Sequence, residues 1–187
     1  LHALLDDLPG AALVSGYAIG HAGKYPVRKE GAPVLQIEGL CAGFQRDGTI
    51  LAHMTAEGTA PVVTGPPAPT LLDPDDPVAW HALREMGAHD MRRWRRLDVT
   101  PGATPTAPVA VEAYFRDSHV DEQGCETVIH EYTVAVEVDP VERTITRGAA
   151  TAHSLPWVEC IEAEASGDRL AGLALEGLRP LVREDFV

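Results

Sequence analysis

Residues 115–139, FRDSHVDEQGCETVIHEYTVAVEVD, hold two histidines and seven carboxylates in a stretch whose pattern is two strands and a turn. Four of these residues, Asp117, His119, His130 and Glu131, are of types that do chemistry. A neutral imidazole beside a carboxylate takes or gives a proton near pH 7, and the same atoms are nitrogen and oxygen donors to a divalent metal. In one reading His130 is a general acid or base oriented by Asp117, with Glu131 as a further carboxylate. In another, Asp117, His119 and His130 are metal ligands. The plainer alternative makes His119, Asp121 and Glu122 a solvated turn and Asp117 the cap of a strand end.

A second concentration is MRRWRRLD, where Arg92, Arg93, Arg95 and Arg96 surround Trp94. Guanidinium forks suit carboxylates or phosphates, and an indole stacks on a flat ring, so the stretch suits an anionic small molecule. Tyr132 is grouped with these five as a substrate contact. Neutralisation by the protein's own acids is the competing expectation. Cys160, in LPWVEC, is a nucleophile only if a cation or helix N-terminus lowers its pKa. His153 is the nearest base in sequence, though no spacing rule joins the two, and buried packing is the plainer fate.

Strand alternation must position these groups. Val109, Val111, Ala113 and Phe115 alternate with Ala110, Glu112, Tyr114 and Arg116, and the strand is expected to end at Asp117. After a turn at 121–124, Val128, His130, Tyr132, Val134, Val136 and Val138 share the inward face. Glu131 then faces away from His130 unless a bulge rotates one of them. An inward imidazole needs a partner or loses about 1 to 3 kcal/mol. DPVERTITRGAATAH supplies the next strand of an antiparallel meander, and DRLAGLALEGLRPLVREDF has helical spacing interrupted by Gly177 and Pro180. In 91–96, Arg93 and Arg95 fall on one face, and Arg92, Trp94 and Arg96 on the other.

The first half is less regular. It opens with a short helical pattern and a weak strand near ALVSGYAI; residues 34–56 are expected to be strands paired through Arg46-Asp47-Gly48. GFQRDGTILAHM faintly echoes the stretch around Asp117, without amounting to a duplication. Residues 59–77 carry six of the fifteen prolines and suit an extended connector. A helix of two to three turns is expected from Asp-Asp-Pro at 75–77 to Gly87. The class is α+β, strand-dominated, with an antiparallel meander sheet and a few short helices. The organisation is an N-terminal region, 1–76, and an α+β domain, 77–187.

The chain has 187 residues, 45% of them hydrophobic, enough for a substantial core. Its 15 basic and 28 acidic side chains leave a net charge of −13, which repels nucleic-acid phosphates and anionic lipid. No apolar run is long enough for a membrane span, and no leader is visible. Cys41, Cys125 and Cys160 lie far apart, without the spacing of a disulfide framework or a zinc knuckle, so a reduced cytoplasmic setting is expected. Motifs for nucleotide triphosphates, dinucleotides, zincins and α/β-hydrolases are missing, and no nucleotide cofactor is expected.

RRWRRLDV, VEAYFRDSHVD, IHEYTVAVEVD, PWVEC and LAGLAL together resemble a bacterial family, domain of unknown function 2889, from about Met91 onward. The resemblance singles out Asp117, His130, Glu131 and Cys160, with Glu131 departing from the more usual Asp. It also implies a following Cys-Thr-His-Leu segment that would add to the site. It implies no reaction. The sequence therefore supports a cofactor-independent lyase- or isomerase-type enzyme acting on an anionic aromatic or acyl molecule. Its alternatives are a divalent-metal enzyme built on the Asp/His cluster and a non-enzymatic binding or assembly module, including a homodimer. The enzyme reading requires His130 or Asp117 to reach the largest concave pocket.

Overall fold

The computed structural model describes residues 2–24 and 37–185. Four strands, β1 (Met91–Thr100), β2 (Val109–Val120), β3 (Glu126–Asp139) and β4 (Thr144–Ser154), pair in chain order as one antiparallel sheet. Short turns make that meander. Asp121 Oδ1 accepts from the backbone N–H groups of Gln123 and Cys125, and Asp139 Oδ1 from those of Val141 and Glu142. These aspartates hold the chain reversals by mimicking backbone acceptors. The α+β, strand-dominated class is the one observed.

Two details of register differ from strict alternation. β2 does not stop at Asp117 but runs on through Ser118 and His119 to Val120. A bulge then sets Asp117 opposite His130 but Ser118 opposite Val128, leaving Ile129 as the extra residue. Neighbours on β2 point to opposite faces, so Val128 and His130 are parted rather than sharing one. The bulge lies before His130, so it leaves His130 and Glu131 on opposite faces.

Helices are short: α1 (His2–Val14), α2 (Gly16–His21), α3 (Thr49–Glu57), α4 (Ala165–Asp168) and α5 (Leu178–Asp185), with 3-10 turns at Ala42–Phe44 and Val158–Glu164. The weak strand near residues 12–19 is thus helical. Residues 37–58 form a turn and α3 in place of the expected hairpin, and residues 34–36 lie outside the described residues. The reason is packing: Ile50, Leu51 and Met54 fall on one helical face and bury against Ile37, Phe44, Ala60 and Trp157. Because α3 is helical and β2–β3 is a hairpin, the faint echo between them marks no repeat.

No helix forms at 77–87 either. Trp80 is drawn edge-on against Trp94, with ring centroids 4.5 Å apart, and donates its Nε1–H to the Leu71 carbonyl. The Arg84 carbonyl, which a helix would use, accepts from Arg92 instead. Residues 66–68 run extended and pair with the outer edge of β3: Val128 N–H donates to the Pro66 carbonyl and Ala68 N–H to that of Glu126. Toward the C-terminus, Leu173 is not helical. Its carbonyl accepts from Ile145 N–H at the start of β4.

Candidate functional site

The register that pairs Arg93 with Asp117 and Asp117 with His130 sets three ionisable side chains in a row across β1, β2 and β3. Arg93 grips Asp117 with two hydrogen bonds, Nε to Oδ1 at 2.8 Å and Nη2 to Oδ2 at 2.9 Å. His130 Nδ1 stands 3.4 Å from the same Oδ2, and that buried nitrogen has no other partner among the described residues. Asp117 is 2% exposed. Burial pushes its carboxyl up, but the Arg93 and His130 hydrogen bonds and charges outweigh burial and hold it below the usual carboxylate range. A carboxylate facing Nδ1 favours the tautomer protonated there.

The two helices at the N-terminus roof this row. Asp7 of α1 approaches Arg93 to 3.7 Å and bonds Arg95 at 2.7 Å. Gly10 lies so close that an added Cβ would meet Arg93 Nη1 at 2.8 Å, so a side chain there would displace the end of that guanidinium. Tyr17 of α2 meets the His130 ring edge-on, with centroids 6.2 Å apart.

His119 is not in a solvated turn. It is 1% exposed, stacked on His21 of α2 at 4.4 Å and near His89 at 5.7 Å, and neither ring nitrogen has a hydrogen-bond partner among the described residues. Burial, then His21 and His89, hold its imidazole below the ordinary value against a weaker pull from Asp121. No group of three His, Cys, Asp or Glu among the described residues is arranged to hold a metal ion. Of the expected set Asp117, His119 and His130, the carboxylate is clamped by Arg93 and the His119 ring is in contact with the His21 and His89 rings.

Glu131 works on the other face. It accepts from Arg116 Nη2 at 2.8 Å and Tyr114 Oη at 2.6 Å, while Arg116 Nη1 donates to the Pro69 carbonyl. The pair fastens the 59–69 segment to the sheet. Cys160 is buried, and burial followed by the proximity of Cys41 pushes its thiol up to about 11, so it is protonated at neutral pH. Tyr132 Oη donates to the Cys160 carbonyl at 3.3 Å, and His153 pairs with Thr133 rather than with that thiol.

A large cleft, about 900 Å³, runs along β1 between α1 and residues 76–86. Arg92, Arg93, Trp94, Arg95 and Arg96 all line it; His130, Asp117, Glu131, Cys160 and Tyr132 do not. Within it Arg93 and Arg95 are tied to Asp7, Arg96 to Asp76 and Asp98, and Arg84 to Asp90. Arg92 differs. Its guanidinium lies 5.4 Å over the Trp94 ring, bonds the Arg84 carbonyl and joins no ion pair among the described residues. Sequence reasoning missed Trp80 and Arg84 as cleft residues by reading them as a helix. The density of Trp, Met, His and Arg at 80–86 was the available signal.

The family model described as protein of unknown function (DUF2889) matches residues 91–187, all four strands and everything after them. The chain belongs to this family. No curated protein and no solved structure matches it. No helix among the described residues is long and apolar enough to cross a membrane.

Proposed function

We propose that this member of the family is a binding module for an anionic small molecule with a flat aromatic or acyl part, held in the cleft along β1. One observation carries the reading: of the five arginines lining that cleft, Arg92 alone is without a carboxylate among the described residues and is stacked on an indole. A guanidinium set over Trp94 offers charge-assisted hydrogen bonds to an anion, and the half-buried Trp80 ring at the cleft wall offers an apolar surface to its flat part. The cleft volume is in the range that takes small ligands.

Catalysis by His130 loses its main support, because neither His130 nor Asp117 lines the cleft. On our reading Arg93, Asp117 and His130 are a buried polar clamp that holds three strands and the helical roof in place. Titration with 2-naphthoate, followed by tryptophan fluorescence and calorimetry, tests both parts. Arg92→Gln should weaken binding by about tenfold or more, the worth of one charge-assisted hydrogen bond. His130→Gln should leave the affinity unchanged in the folded protein. Equal affinity in Arg92→Gln, or binding lost in folded His130→Gln, would return the site to the dyad.

A further inference from the structure

Cys41 and Cys160 are distant in sequence and close in the fold. A Cβ built on Gly43 would stand 3.0 Å from the Cys160 sulfur and 3.9 Å from the Cys41 sulfur, so both sulfurs lie beside the space that the missing side chain leaves open. Both also act electrostatically on the Tyr132 hydroxyl, a second sign that they occupy one place. They differ in access: Cys41 is exposed and Cys160 is buried. The segments that carry them are already fastened together. Trp157 Nε1 donates to Thr49 Oγ1 at 2.6 Å, Thr49 N–H to Glu159 at 2.7 Å, and Gln45 to Glu162 at 2.5 Å.

We propose that Cys41 and Cys160 are a dithiol–disulfide pair, oxidised by hydroperoxides, that locks the segment around α3 onto the family domain. Cys41, at the surface, meets the peroxide first. The Cys41 thiol gives up its proton, its sulfur attacks one oxygen of hydrogen peroxide, the O–O bond breaks, and Cys41 becomes a sulfenic acid while the departing hydroxide takes up that proton as water. The Cys160 sulfur then attacks the sulfenic sulfur; the S–O bond breaks, and the departing hydroxide takes the Cys160 proton as a second water. Two thiols have lost two electrons and two protons to one peroxide. Burial shields Cys160 from solvent oxidant, so the first step falls to exposed Cys41, and Cys160 enters only the second, where the sulfenic sulfur is delivered beside it. The closed loop is long, so the bond stabilises by restricting the unfolded chain.

The exposed Cys125, on the β2–β3 turn, is the internal control. The full chain is treated with stoichiometric hydrogen peroxide, denatured, alkylated and analysed by peptide mass spectrometry. Alkylation of Cys160 should fall about tenfold, with a linked peptide pair containing Cys41 and Cys160. The oxidised chain should also unfold several degrees higher. Cys41→Ser should restore full alkylation of Cys160, whereas Cys125→Ser should leave the crosslink unchanged. A Cys41 sulfinic acid beside a fully alkylated Cys160, or a crosslink that requires Cys125, would overturn the proposal.

Discussion

Arg92 and Arg93 are neighbours on β1, and alternation sends them to opposite faces of the sheet. Arg93 enters a closed region, where Asp117 and Asp7 surround it and the Phe115 ring lies 4.7 Å beneath its guanidinium. Arg92 stands in an open one, against an indole and a backbone carbonyl. The closed region holds the residues whose types suggest chemistry, and in it Arg93, Asp117 and His130 are spent on one another. The open region is lined by arginines that, Arg92 apart, are tied to carboxylates, so one keeps charge to offer. A crowd of ionisable residues in sequence therefore marks where the folded state needs internal partners, and a ligand site is marked by what is left unpaired.

Removing Arg93 should have the largest effect. Arg93→Met leaves the Asp117 carboxylate buried with only His130 beside it, and breaking one side of such a pair costs about 3 to 5 kcal/mol. Urea unfolding followed by tryptophan fluorescence should show that loss as a lower midpoint with an unchanged slope. A loss under about 1 kcal/mol would mean that water reaches Asp117 and that the closed region is not closed.

His130→Gln comes next, at about 1 to 3 kcal/mol, because it exchanges an imidazole aimed at Asp117 for an amide in a site shaped by Tyr17 and Phe115. How legible was this arrangement? That His130 and Glu131 face opposite sides of the sheet follows from counting residues along β3, because strand side chains alternate with period two. The bulge at Ile129 was not countable, because strict alternation carries no sign of where an extra residue enters the ladder. The roof was least legible of all. The helical opening was readable, but its continuation past Pro9 and Gly10 was not, and Asp7 ties it to Arg93 and Arg95 on a strand more than eighty positions away. The same is true of α3, where Asp-Gly signalled a hairpin and burial of Ile50, Leu51 and Met54 decided otherwise. The arginine stretch was read correctly as a strand with two faces, but which of its arginines stays unpaired depended on Asp7, Asp76 and Asp98.

A smaller effect should appear with pH. In the folded chain burial, then His21 on α2 and His89 in the 87–90 turn, hold the His119 imidazole below its ordinary value of 6.5, opposed by Asp121; Glu122 stands 3.7 Å from His89. Between that lowered value and 6.5 the unfolded chain binds more protons than the folded one, so stability rises with pH through this window. It is fully present above 6.5 and declines as pH falls below it. The Asp117 carboxylate, also depressed, contributes stability that is lost only in far more acid solution. Thermal unfolding from pH 8 to pH 5 should therefore fall in wild type and flatten in His119→Leu. An equal slope in both would place the acid sensitivity outside the histidine stack.

The smallest stability effect belongs to Arg92, and it bears most directly on the contrast with Arg93. Its guanidinium is in no ion pair among the described residues, so Arg92→Gln strands no buried charge; the loss is one bond to the Arg84 carbonyl and the contact over Trp94. A change within about 0.5 kcal/mol is expected, as for surface substitutions away from buried networks. The same variant should lose most of its affinity for 2-naphthoate. Stability and binding should thus separate at neighbouring positions, with Arg93→Met costing stability and Arg92→Gln costing ligand. If Arg92→Gln instead destabilised the chain as Arg93→Met does, the indole contact would be structural, and the cleft would have no cation free to receive an anion.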